Sequence, residues 1–182
     1  FSVSGAGDVK ADGFDDILIG AYGMALSSGE TYLIYGSDSL AADFPLSGAH
    51  VTFSGIQSID YSGFSVSNAG DVNGDGNGDV IWRHKTSGAN FIWLMNDTNI
   101  LDSYILNTVP TSWHIVGVGD LDGDDTDDII WRSESGLNWA YLMNDGQIGT
   151  SKQINTIANQ DWQIRTVGDL NGDGKADIFW RN

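Results

Sequence analysis

Short apolar runs recur along this chain, each directly after an aspartate: Ile17–Ile19, Val80–Trp82, Ile129–Trp131 and Ile178–Trp180. They are too short for helices and rich in β-branched and aromatic residues, so they predict strands. A second set follows at Thr31–Tyr35, Asn90–Met95 and Asn138–Met143. A third, more polar set lies near His50–Phe53, Ser103–Leu106 and Lys152–Thr156. With 24 glycines, 2 prolines and 41% hydrophobic residues, the composition suits many short strands joined by tight turns around a substantial core. No segment holds a helical period, and no apolar run approaches the length of a bilayer span.

The polar stretches between these runs repeat as well. Asp8-Val-Lys-Ala-Asp12-Gly-Phe-Asp-Asp16 returns as Asp71-Val-Asn-Gly-Asp75-Gly-Asn-Gly-Asp79. It returns again as Asp120-Leu-Asp-Gly-Asp124-Asp-Thr-Asp-Asp128 and Asp169-Leu-Asn-Gly-Asp173-Gly-Lys-Ala-Asp177. Successive copies start 63, 49 and 49 residues apart. A glycine precedes each copy (Gly7, Gly70, Gly119, Gly168), and an aromatic stands seven residues upstream of each first aspartate (Phe1, Phe64, Trp113, Trp162). One unit therefore reads strand A, Asp loop, strand B, turn, strand C, turn, strand D. Four antiparallel strands in units of about 40–50 residues predict the blades of a β-propeller.

The expectation is an all-β chain, a single propeller segment over 1–182, with about 3.5 repeats at approximately 1–63, 64–112, 113–161 and 162–182, the last incomplete. The extra residues around Ser37–Ser47 in the first unit read as a surface loop. The chain begins at Phe1 in phase with a repeat, as a mature or trimmed piece would. Three blades and half of another cannot close a ring of four to eight. Further repeats or self-association are therefore expected to complete it.

Charge changes the picture. The chain carries 25 acidic and 8 basic residues, a formal −17, and its only glutamates are Glu30 and Glu134. Such a field excludes nucleic acid and anionic membranes as partners and favours cations. Sixteen of the acids lie in the four loops. Two carboxylates about 4 Å apart repel by roughly 4 kcal/mol at an effective dielectric near 20, so a loop that gathers several needs a counter-cation. Ca²⁺ takes six to eight hard oxygens, which alternate positions of a tight loop supply. Counting each first aspartate as position 1, the expected ligands are the side chains at positions 1, 3, 5 and 9 and the carbonyl at position 7. They are Asp8, Asp12, Phe14 and Asp16 in loop 1, and Asp71, Asn73, Asp75, Asn77 and Asp79 in loop 2. In loop 3 they are Asp120, Asp122, Asp124, Thr126 and Asp128, and in loop 4 Asp169, Asn171, Asp173, Lys175 and Asp177. Phe14, Asn77, Thr126 and Lys175 would contribute through the backbone. Solvated Asx-type turns are the alternative, since Asp, Asn and Gly favour turns in any case. Four copies in one phase, each between a glycine and a strand, favour metal. Glycine at position 6 (Gly13, Gly76, Gly174) permits a positive φ. Lys10 at position 3 of loop 1 and Asp125 at position 6 of loop 3 depart from the pattern, so loop 1 is expected to be the weakest of up to four sites. An EF-hand is excluded, because Ile19, Trp82, Trp131 and Trp180 stand where its bidentate acid belongs.

Phe1–Val9 and Phe64–Val72, both Phe-Ser-Val-Ser-x-Ala-Gly-Asp-Val, resemble the FG-GAP repeat of integrin α-chain propellers, as does Asp8–Gly20. Trp113–Asp120, Asp128–Arg132 and Trp139–Asp145 resemble the related VCBS/FG-GAP-like repeats of bacterial extracellular proteins. The resemblance implies a calcium-binding propeller, secreted or displayed at the cell surface, that acts in adhesion or glycan contact.

The remaining side chains read as structural. Trp82, Trp131 and Trp180 recur in step and are expected between blades. Arg83, Arg132 and Arg181 follow them and could pair with loop carboxylates or carbonyls. Trp93 and Trp139 are the better candidates for exposed stacking. His50, His84 and His114 do not recur, cysteine is absent, and no nucleophile–base motif is present, so the chain is read as not an enzyme. A non-catalytic adhesion or structural module leads, with surface proteins or glycans as partners. A carbohydrate-binding propeller, lectin-like or accessory to a polysaccharide-degrading enzyme, is the alternative.

Overall fold

The computed structural model describes residues 2–23, 28–40, 43–54, 66–96 and 99–182. The aromatic positions expected at Phe1 and Phe64 lie outside the described residues.

The first sheet comprises β1 (Ser2–Gly7), β2 (Asp16–Ala21), β3 (Glu30–Ile34) and β4 (Val51–Ser54). The second comprises β5 (Val66–Gly70), β6 (Asp79–Arg83), β7 (Ala89–Asn96) and β8 (Asn99–Thr108). The third comprises β9 (Trp113–Gly119), β10 (Asp128–Ser133), β11 (Leu137–Asn144) and β12 (Gln147–Thr156). A two-stranded sheet of β13 (Gln163–Gly168) and β14 (Asp177–Arg181) follows. Each four-stranded sheet runs in sequence order with antiparallel neighbours, which is the make-up of a propeller blade. The first strands sit side by side, β1 against β5, β5 against β9 and β9 against β13. Within the extra residues of the first unit, Leu46–Gly48 forms a short 3-10 turn.

Burial grades across each blade, and it explains the patterning. The second strands of the second and third blades are covered on both faces: Asp79–Trp82 of β6 and all of β10 are buried. They therefore read as continuous apolar runs rather than alternating ones. Outer strands β8 and β12 are almost wholly exposed.

The cores lie between blades. Leu18, Leu33 and Tyr35 of the first blade pack with Val80, Trp82 and Met95 of the second. Ile81, Ile92 and Val109 then pack with Ile129, Trp131 and Met143 of the third. Neighbouring Val80 and Ile81 thus serve opposite faces, as strand geometry requires. Trp131 is 1% exposed and Trp82 is buried, and both pack between blades, as their period predicts, whereas Trp180 is half-buried.

The recurring arginines fasten the turns rather than the loops. Arg83 donates to the carbonyls of Gly88, Val109 and Pro110 and to Asn90, and its guanidinium lies 5.1 Å from the Trp131 ring of the next blade. Arg132 repeats this with Asn138, Ile157 and Trp180.

Candidate metal centres

Each nine-residue loop joins the first strand of its sheet to the second, and one hydrogen-bond scheme serves all four. The carboxylate at position 1 accepts the N–H groups of positions 5 and 6. Asp12 and Gly13 donate to Asp8 at 3.0 and 2.7 Å, and Asp75 and Gly76 to Asp71 at 3.0 and 2.7 Å. Asp124 and Asp125 donate to Asp120, and Asp173 and Gly174 to Asp169, at 2.9 to 3.3 Å. The carboxylate at position 5 accepts the N–H of position 7, so Phe14, Asn77, Thr126 and Lys175 donate to Asp12, Asp75, Asp124 and Asp173. These bonds wind the loop around its own acids. The N–H groups of Gly174 and Gly172, with those of Asp173 and Asn171, hold the Asp169 carboxyl below its ordinary range.

Position 9 has a second task. Asp16, Asp79 and Asp128 are buried, and one oxygen of each accepts the N–H of position 2 (Val9, Val72, Leu121). The other oxygen accepts an N–H from the third strand or the residues that follow it: Gly36, Met95 and Met143. Asp177 makes the position-2 bond with Leu170. Each oxygen keeps a further lone pair. Burial pushes Asp79 up to about 7, and Asp75 and Asp71 add to the effect against the pull of its two N–H donors. Burial likewise pushes Asp128 up to about 6, aided by Asp122 and Asp124.

The loops are also tied to one another. The N–H of position 8 donates to the position-1 carbonyl of the preceding loop: Gly78 to Asp8 at 3.0 Å, Asp127 to Asp71 at 2.8 Å and Ala176 to Asp120 at 2.5 Å. Asp71 returns an N–H to the Asp127 carboxylate at 3.0 Å. Lys175 of loop 4 adds a bond from its ammonium to the Asp122 carbonyl at 2.6 Å.

Loop 3 gives the clearest test of fit for a cation. Asp120, Asp122 and Asp124 each bring a carboxylate oxygen within 4.8 Å of the others. Among the described residues, Asp122 Oδ1 is buried with no hydrogen-bond partner. A buried carboxylate oxygen without a donor is costly, and a hard cation is the partner it lacks. Loops 2 and 4 carry Asn73 and Asn171 there, whose side-chain oxygens accept the N–H of Asp75 and Asp173. Loop 1 holds a cation of its own: the Lys10 ammonium pairs with Asp12 and lies 4.6 Å from the Tyr35 ring. That contact is the main reason the Asp12 carboxyl sits below its usual range.

The expected positive φ is present. Position 6 has φ of 89°, 88° and 82° at Gly13, Gly76 and Gly174, and Asp125 is held at 66°. Position 4 is left-handed as well, at Gly74, Gly123 and Gly172 and, in loop 1, at Ala11 with φ 54°. Position 4 and the position-8 ladder escaped the sequence reading. Gly-x-Gly spacing in loops 2 and 4 was the signal for the first, whereas the ladder uses only backbone groups and leaves none.

A family model described as an FG-GAP-like repeat matches residues 71–131 and 120–180. Over 83 residues the chain is 34% identical to integrin alpha pat-2 of Caenorhabditis elegans, a stretch that is 43% of this chain and 6% of that protein.

Proposed function

The chain belongs to the FG-GAP-like repeat family, and on that premise we propose that it is a non-catalytic, calcium-binding propeller module acting outside the cell in adhesion or structural assembly. Asp120, Asp122, Asp124 and Asp128 with the Thr126 carbonyl would hold the ion in loop 3. Asp71, Asn73, Asp75, Asp79 and Asn77 would do so in loop 2, and Asp169, Asn171, Asp173, Asp177 and Lys175 in loop 4. Loop 1 offers Asp8, Asp12, Asp16 and the Phe14 carbonyl, with Lys10 as competitor.

The observation that carries this reading is the buried, partnerless Asp122 Oδ1 inside a cluster of three carboxylates. A bound dication would supply the positive charge that offsets their repulsion. The chain's own part is to pre-form the loop through the position-1 and position-5 acceptors, and to pass each loop's position to its neighbour through the position-8 bonds. The integrin-like stretch supports a surface role. The non-catalytic reading is supported by the placement of the loop acids, which gather within single loops, as Asp120, Asp122 and Asp124 do, rather than face one another across a cleft as an acid–base pair.

Because the folded loops would bind calcium and the unfolded chain hardly would, millimolar calcium should raise the melting temperature relative to chelator. Extracellular calcium modules bind at about 10⁻⁴–10⁻³ M, which sets the range to scan. Identical melts in calcium and chelator would overturn the proposal.

A further inference from the structure

The chemistry left over by the loops lies at the opposite kind of surface, an aromatic cleft of about 310 Å³ between the second and third blades. Trp113, Trp131, Trp139 and Tyr141 line it, with Thr108 and Ser151. We propose that this cleft binds a neutral sugar ring.

Strand geometry builds the site. Trp139 and Tyr141 alternate on one face of β11, and Trp139 stands opposite Trp131 of β10. The Trp139 indole N–H donates to Ser151 Oγ at 2.7 Å, which fixes the plane of the ring. The Tyr141 hydroxyl accepts from the Asn107 amide at 2.7 Å. The cleft thus presents immobilised aromatic surface beside hydroxyls.

The neighbouring junction shows why this one is open. Phe91 and Trp93 of β7 hold the places of Trp139 and Tyr141, opposite Trp82 and Val80. There Phe53 of the preceding blade fills the gap, with its ring 4.9 Å from Trp93 and 6.1 Å from Trp82. At the second junction the outer strand β8 instead sends the Asn107 amide to Tyr141, and the cleft remains.

The lining selects the ligand class. Among the described residues, no charged side chain lines the cleft. A formal −17 on the chain repels anions. A cation is disfavoured because the Arg83 guanidinium, outside the lining, already lies over the Trp131 ring and repels a second positive charge there. A purely apolar ligand would displace water from the Ser151 and Thr108 hydroxyls at the lining without replacing its hydrogen bonds, since the Trp139 indole uses only the acceptor side of Ser151. A pyranose satisfies all of these constraints, since it lays a C–H face on an aromatic ring and turns hydroxyls to polar groups at the rim. The volume suits a single ring. The cleft shares no residue with the loops, so its occupancy is separable from metal.

The test uses the whole chain, with methyl glycosides of neutral hexoses, deoxyhexoses and N-acetylhexosamines as probes and tetramethylammonium as the cationic comparison. Saturation-transfer NMR and tryptophan fluorescence supply the readouts. At least one sugar should bind saturably, with contact protons on one ring face. Trp139→Ala should weaken binding at least ten-fold, Trp139→Phe should restore part of it, and Phe91→Ala should leave it unchanged. If Trp139→Ala fails to fold, Ser151→Ala should still weaken binding through loss of the indole anchor. The same affinity is expected in calcium and in chelator wherever circular dichroism shows the fold intact. The proposal is overturned if no sugar saturates, if only tetramethylammonium binds, or if folded Trp139 and Ser151 variants bind like the parent.

Discussion

Gly70 and Gly168 occupy the same place in their repeats, yet they answer to different constraints. Gly70 has φ 71°, and a Cβ there would meet Asp127 Oδ2 of the next loop at 2.1 Å. Gly168 has neither the positive φ nor any atom within 4 Å of such a Cβ. Gly70→Ala should therefore destabilise by about 3 kcal/mol, combining left-handed strain with overpacking, whereas Gly168→Ala should stay within about 0.5 kcal/mol. Urea denaturation of both variants checks this, and equal effects would contradict the tie between loops 2 and 3. The repeated glycines are legible in the sequence, but their reasons are not. The partner of Gly70 lies 57 residues away, at a position occupied in turn by Asp15, Gly78, Asp127 and Ala176. That position varies because the ladder needs only its N–H, so no side-chain pattern betrays it. Lys10 is the converse case. It stands out because it breaks a side-chain pattern, and its ammonium pairs with Asp12 of the same loop.

At the scale of elements, legibility followed burial. Second strands β6 and β10 are packed on both faces, so their apolar runs stand out; β2 and β14 lie where their runs predict as well, although Ile17 and Phe179 are exposed. Outer strands carry one exposed face and one exposed edge. Their polar sequences support only short segments near Ser103–Leu106 and Lys152–Thr156, whereas β8 and β12 each extend over 10 residues. Long pairing with β7 and β11, not side-chain hydrophobicity, holds them. The sequence leaves the arginines as partners of either carboxylates or carbonyls, and the structure gives Arg83 and Arg132 carbonyls. Arg83 joins the end of β8 to the start of the third blade by its two bonds to Val109 and Pro110. Lysine cannot reproduce that fork, so Arg83→Lys should cost about 1–2 kcal/mol, and Arg83→Ala more, in urea denaturation. An Arg83→Lys protein as stable as the parent would show that the point charge over Trp131 matters more than the fork.

Across the whole molecule, charge and assembly are one problem, because the acids that repel one another sit in loops that also join the blades. In metal-stripped protein, Asp79 holds its proton to about 7 and Asp128 to about 6, against 3.8 as the ordinary value. Between those values the folded chain binds more protons than the unfolded chain, so stability must fall as pH rises from about 4 to about 7. A melting temperature that climbs over that window without metal would contradict the burial of these carboxylates. Calcium requires them as anions, so the stabilisation it gives should grow across the same window. The central claim, that the loops are inequivalent calcium sites with loop 1 blocked by its own lysine, is tested most directly by calorimetric titration of calcium into the stripped protein beside its Lys10→Asn variant. The account predicts non-uniform binding in the parent, with the weakest class tightened by Lys10→Asn and the others unchanged. Absence of binding, or four equivalent sites indifferent to the substitution, would contradict it.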